Sequence, residues 1–189
     1  MGPRTATPTW VRDAERVDVA IYGAVAATPT PALDGAVRRL TAAADHSRLS
    51  LAAAAALAVA RGPRGRRAAR IGLYSVAVTS AFVNLAIKPL ARRRRPDRDT
   101  SGVPLSRHVR MPVTRSFPSG HTASAFAFAT AVGHVLPREA LALRVLAAAV
   151  GYSRVHAGVH FPGDVLLGAL IGTSAAQITV YALERRATR

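Results

Sequence analysis

The chain has 189 residues, half of them apolar but only 5% aromatic, and 26 Lys and Arg against 10 Asp and Glu give it a formal charge of +16. That length fits one domain, and small alanine-rich side chains suit close helix contacts better than a sheet. With no cysteine, disulfide frameworks and thiolate metal sites are excluded, while the charge points to an anionic membrane surface, an anionic substrate or nucleic acid.

Met1 to Trp10 is polar and proline-bearing with no apolar run behind it, so it does not read as a cleavable signal peptide; membrane insertion is expected from internal segments. Val11, Ala14, Val17, Ile21 and Val25 recur at three- and four-residue steps, as do Leu33, Val37, Leu40 and Ala44, with Pro29 and Pro31 between the two series. Both predict amphipathic helices, lying along a membrane surface or capping a bundle, with Trp10 and Tyr22 at the polar boundary. Leu49 to Ala60 is an uncharged stretch between Arg48 and Arg61. It covers only about 18 Å, short for a bilayer unless it extends back toward Thr41 or uses the stems of its flanking arginines. A basic loop is expected over Arg61 to Arg70.

Ile71 to Ile87 and residues 165 to 183 carry no formal charge and are long enough to cross most of an apolar layer. A third span runs from Gly120 to about Leu136, its helix beginning where Pro118-Ser119-Gly120 breaks the chain. A fourth, Glu139 to Ser153, is interrupted by Arg144, which must snorkel or face protein. The expectation is an all-α, integral-membrane helical bundle of about five membrane helices plus N-terminal amphipathic helices. It is a single domain over 1–189, with the amphipathic helices in 1–45 and the bundle carrying the active site in 46–189.

Three short stretches carry the chemistry. They are Lys88 with Arg95-Pro96, then Pro118-Ser119-Gly120-His121, then Ser153-Arg154 followed by His160 and Asp164. Together they supply three fixed cations, two histidines, a carboxylate and a glycine-bearing turn. A phosphate monoester spreads charge over its non-bridging oxygens as it is displaced, so a fixed cluster of donors supplies much of the catalysis. Lys88, Arg95 and Arg154 suit that role, arginine with paired planar donors and lysine as a compact charge. Ser119 and Gly120 open an apolar helix, where backbone amides and the helix dipole favour an anion and a glycine lets it come close. Ser119 also fits a helix cap.

Read as Lys-x6-Arg-Pro, Pro-Ser-Gly-His and Ser-Arg-x5-His-x3-Asp, these stretches resemble the three signature motifs of the type 2 phosphatidic-acid phosphatase superfamily, the lipid phosphate phosphatases. The resemblance covers roughly residues 70 to 183. It implies hydrolysis of a lipid-linked phosphate monoester or diphosphate through a phosphohistidine, with no cofactor and no metal. His160 is the implied nucleophile, with Asp164 holding its other ring nitrogen and His121 as general acid and then base. Lys88, Arg95, Ser119, Gly120 and Arg154 are the implied phosphate binders. The implied partners are a lipid phosphate or polyprenyl phosphate or diphosphate and the lipid bilayer, with no nucleic acid; oligomeric state is not indicated.

The other histidines need a decision. His156, four residues before His160, lacks the carboxylate at the family's spacing and is assigned to the pocket rim; His46, His108 and His134 have no motif context. A metal held through His156 and His160 would lack a supporting third ligand. Ser153 is expected to steady Arg154 or the phosphate loop, Asp97 and Asp99 to pair with spare arginines of Arg92 to Arg95, and the loop from Asp97 to Arg115 to act as a lid or headgroup selector. Two competing readings are a vanadate-dependent haloperoxidase-like enzyme, for which a large soluble chain is expected, and a non-catalytic basic membrane or anion-binding protein.

Threading the five spans puts all three motifs at one membrane face. The basic segment after Ala60, the turn at Pro137-Arg138 and the basic tail from Arg185 fall at the other. The positive-inside tendency then favours an extracytoplasmic site, although Arg92, Arg93, Arg94, Arg98, Arg107, Arg110 and Arg115 also lie on the motif side.

Overall fold

The computed structural model describes residues 8–187, which form seven helices longer than one turn; no strand occurs among them. The polar leader over residues 1–7, and the tail beyond residue 187, lie outside the described residues.

Helices α1 (Thr9–Ala27) and α2 (Pro31–Ala43) fall where the apolar periodicity puts them, with Pro31 in the first turn of α2. They cap one end of the bundle. Tyr22 and Ala26 pack with Val103, Val155 and Phe161, and the Tyr22 and Phe161 rings meet edge-on at 5.3 Å. Tyr22 is therefore buried rather than at a polar boundary, while Trp10 stays exposed. A turn over 45–47, with His46 at φ 54° and Ser47 at φ 57°, reverses the chain into α3 (Arg48–Ala60). That left-handed pair is why α3 does not extend back toward Thr41.

Helix α4 (Gly62–Leu90) is α-helical to Ala81, widens into a π-type segment over Phe82–Ile87 and closes with one turn through Lys88. The basic run after Arg61 is thus helical, not a loop. Proline near the start presets the first turn, and the arginines and alanines of 66–70 propagate a helix well. Gly65 also permits a close crossing with α3: a β-carbon there would stand 1.9 Å from the Leu57 carbonyl oxygen.

After the long loop come α5 (Gly120–Gly133), α6 (Pro137–His156) and α7 (Pro162–Ala187). Small residues set the distances among them. β-Carbons on Gly168 and Gly172 of α7 would lie 2.7 Å from the Ser119 carbonyl oxygen and 2.1 Å from that of Ala123. One on Gly151 of α6 would lie 2.8 Å from Val165. Alanines and glycines let backbones approach closely where the surroundings are lipid and apolar contact alone drives little association. The α5 helix is the centre of the bundle, with Ala123, Ala127, Ala129, Ala131 and Val132 fully buried.

Large apolar side chains point outward instead: Val59, Leu85, Leu141, Leu166, Leu170 and Ile178 are all exposed. Small inside and large outside suits a bilayer and would expose an extensive apolar surface to water. Two helices, Gly62–Leu90 and Pro162–Arg186, are long and apolar enough to cross a membrane, and only 28% of each apolar window is buried. Arg144 reaches toward the C-terminus of α5, its guanidinium 3.6 Å from where a β-carbon on Gly133 would stand.

Two contacts fix which helix ends meet away from the motifs. Arg61 pairs with Glu139 at 2.7 Å and Arg64 donates to the Val135 carbonyl at 3.3 Å, which ties the start of α4 to the α5–α6 turn. The three motifs lie at the opposite end.

Candidate active site

Side chains and backbone from all three stretches converge on one region. Arg95 Nη1 lies 3.2 Å from His160 Nε2 and donates to the Val159 carbonyl at 2.7 Å. Its Nε and Nη2 reach the carbonyl and hydroxyl of Thr114 at 2.8 and 3.2 Å. Lys88 Nζ donates to the same hydroxyl at 3.4 Å and stands 3.6 Å from where a β-carbon on Gly120 would be. His121 follows in α5, its Nε2 2.9 Å from Asp45 Oδ1, and that oxygen is 3.8 Å from Arg154 Nη1. The His160 amide donates to the Arg154 carbonyl at 3.2 Å. Two cavities meet at His121: one of about 200 Å³ beside Lys88, Gly120 and Asn84, and one of about 350 Å³ beside Asp45, Arg110, Thr114 and Arg154.

Since a guanidinium can only donate, His160 Nε2 must accept, and the proton of the neutral ring then sits on Nδ1. Nδ1 faces Asp164 Oδ2 at 3.5 Å, too long for a hydrogen bond. Burial drives the His160 imidazole down to about 4, and Arg95 and Arg154 push the same way against the opposing pull of Asp164. The ring is neutral at neutral pH.

Asp164 is held from several directions. Its Oδ2 accepts from the Ser116 hydroxyl and from the Phe161 amide at 3.0 Å, and its Oδ1 from Arg93 at 3.1 Å. Arg93 also pairs with Asp18 of α1 and lies 4.2 Å above the Phe161 ring. Asp18 in turn accepts from the Gly163 amide at 2.7 Å, satisfying one of the free donors at the start of α7. Arg154 is 2% exposed; its Nη1 donates to the Thr41 hydroxyl at 2.8 Å, and its buried Nε has no partner.

Asp45 was invisible in the sequence because nothing marks it: it lies in no motif and precedes an ordinary His-Ser pair. The two residues after it hold left-handed backbone, which costs a non-glycine residue roughly 1–2 kcal/mol each. Asp18, Thr41 and Arg93 were likewise missed, each recruited from outside the motif positions.

The sequence model described as "PAP2 superfamily" matches residues 68–187. Decaprenylphosphoryl-5-phosphoribose phosphatase of Mycobacterium tuberculosis is 35% identical over 175 residues, 87% of this chain and 90% of the relative. This chain belongs to the PAP2 superfamily. Among solved structures, Aquifex aeolicus LpxE superposes with a TM-score of 0.71 at 27% identity, covering 87% of this chain and 95% of that one. A transmembrane PAP2 type phosphatidylglycerolphosphate phosphatase from Bacillus subtilis gives 0.68 at 26%, covering 94% and 88%.

Several neighbours of the PAP2 motifs sit differently from expectation. His156 is not on a rim: it is 2% exposed, with Nε2 3.0 Å from the Thr30 hydroxyl and 3.3 Å from Asp34. Arg107, counted above among spare charges, is buried and donates to Asp34 at 2.9 Å, to Thr30 at 2.9 Å and to the Thr28 carbonyl at 2.6 Å. This fastens the long loop to α1 and α2. The Ser153 hydroxyl donates to the Val150 carbonyl at 2.7 Å within its own helix instead of to Arg154. Asp97 accepts from the amides of Asp99 and Thr100, closing a turn. Ser119 is fully buried and caps α5, its hydroxyl 2.9 Å from that of Thr122. His46 lines both cavities beside His121. His156 and His160 face different partners, and among the described residues no group of three His, Cys, Asp or Glu is placed to hold a metal ion.

Proposed function

We propose that this PAP2 chain hydrolyses the phosphate monoester of a membrane lipid at a helix-end site, without a metal. The observation that carries the reading is the convergence of Lys88, Arg95, His121, Arg154 and His160 on one region, with Arg154 Nε buried and without a partner. The His160 Nε2 lone pair forms a bond to phosphorus as the bond from phosphorus to the lipid oxygen breaks, and His121 passes its proton to the leaving alkoxide. Water then attacks phosphorus and gives its proton to His121; the N–P bond breaks and inorganic phosphate leaves. Asp164, 3.5 Å from Nδ1, stabilises the positive charge that develops on His160, Lys88, Arg95 and Arg154 hold the phosphate oxygens, and Ser119 with Gly120 opens the amides of α5 toward them.

Residues 8–187 act as one catalytic domain, since Asp18, Thr41 and Asp45 of the N-terminal segment contact the site. The exposed large apolar side chains on the outer helix faces, Leu85, Leu166 and Leu170 among them, support a substrate whose tail stays in the bilayer. Near full-length similarity to phosphatases of a decaprenyl phosphosugar makes a polyprenyl-linked sugar phosphate the first substrate to try. Purified protein in detergent is expected to release inorganic phosphate from it, or from phosphatidylglycerol phosphate, in excess chelator and to be inhibited by vanadate. Activity lost to chelator and restored by magnesium would overturn the metal-free route.

The site faces the extracytoplasmic side. Arg93 and Arg107 are charge-paired and drop out of the count at the motif end, whereas Arg66, Arg67 and Arg70 have no catalytic task at the other. Because the chain lacks cysteine, Val113→Cys in the exposed loop gives a clean probe. A membrane-impermeant maleimide should label it on intact spheroplasts; labelling only after lysis reverses the orientation.

A further inference from the structure

Asp45 lies outside the three motifs yet touches two of them. One carboxylate oxygen is 2.9 Å from His121 Nε2 and 3.8 Å from Arg154 Nη1, so a single atom ties the proton donor to a phosphate cation. The surroundings of His121 make that contact consequential. Lys88 of α4, Arg110 of the long loop, Arg154 of α6, His160 of the α6–α7 turn and His46 all line its cavities or stand close to them, and each is cationic or becomes so on protonation. Among the described side chains lining the two cavities, Asp45 is the one carboxylate.

A general acid for an alkoxide leaving group must carry its proton when the bond to phosphorus breaks. Crowding by cations opposes an imidazolium, and a carboxylate at contact distance offsets that repulsion. Backbone geometry fixes the carboxylate there: the left-handed His46 and Ser47 end α2 and turn the chain at the mouth of the site. We infer that Asp45 is a positioning residue for proton transfer, holding the His121 ring oriented through Nε2 and offsetting part of the field of cations that opposes its charged form. The inference rests on the phosphatase reading above.

The test is a pair of substrates that differ in their need for an acid. In purified protein, Asp45→Asn should lower kcat on an alkyl lipid phosphate by about 10²-fold with little change in KM. On para-nitrophenyl phosphate, whose phenolate leaves without a proton, the loss should be at least about tenfold smaller. The alkaline limb of the kcat profile on the lipid should also move to lower pH, and Asp45→Glu should recover part of the rate. Equal losses on both esters with an unmoved pH profile would reduce Asp45 to a scaffold contact. A lower KM with unchanged kcat would mean instead that Asp45 competes with substrate phosphate for Arg154. If Asp45→Asn does not fold, the ratio of the two esters measured on Asp45→Glu decides, since a longer reach to His121 must change it. Wild type that releases phosphate from neither ester sinks the phosphatase reading first and this inference with it.

Discussion

Two buried polar clusters lie close together in this protein, both built from arginine, histidine and aspartate, and they differ in how their charges are used. In the cluster around Arg107, the chain supplies an acceptor for each guanidinium nitrogen: Asp34, Thr30 and the carbonyls of Val25, Ala26 and Thr28. The cluster around His160 gathers Lys88, Arg95 and Arg154 against two carboxylates, of which Asp164 is already engaged by Arg93 and Ser116. A balanced set holds a loop in place; a set with surplus cations and a buried donor left over is suited to an anion. His156 and His160 show the same contrast four residues apart.

The sharpest way to break that comparison is to exchange the histidines. His160→Ala should lower phosphate release by at least about 10³-fold and abolish acid-labile phosphate on the protein, while His156→Ala should retain labelling. Loss of labelling in both variants would merge the clusters into one function. Removing the guanidinium of the other cluster attacks stability: Arg107→Met strands Asp34 and should cost about 3 kcal/mol in detergent unfolding, with activity per folded molecule kept within a few-fold.

Arg93 stands between the two cases because it is charge-paired but acts on the site. Arg93→Gln loosens Asp164 and should lower kcat by roughly tenfold with KM nearly unchanged. A rise in KM instead would make Arg93 a phosphate contact. Finally, pH separates a buried nucleophile from an ordinary histidine. If His160 is the nucleophile proposed above, it attacks as the neutral ring, and with its pKa pushed down to about 4, protonation should not remove it until pH falls toward that value. The acid limb of kcat/KM should therefore lie well below 6.5; a limb near 6.5 means that the ring is solvated.

Much of the fold was legible because its signals are local. Apolar periodicity fixed α1 and α2, uncharged runs fixed the cores of α4 and α7, and Pro118-Ser119-Gly120 marked the start of α5. The basic run after Arg61 misled because charge was read as loop, although arginine and alanine propagate a helix and Gly65 seats it against α3. The motif side chains were legible through fixed spacings, but their supports were not. Asp18, Thr41, Asp45 and Arg93 act across sequence separations that no local pattern records.

By itself the sequence determined the helices, the apolar surfaces and the chemical types gathered in three motifs, since propensity, hydropathy and spacing are properties of neighbouring residues. Tertiary structure alone decided which arginine is charge-paired, where His156 is buried and which carboxylate meets His121. Those outcomes depend on close helix crossings at Gly168 and Gly172 and on a left-handed turn after Asp45, and electrostatic roles follow distances that only packing sets.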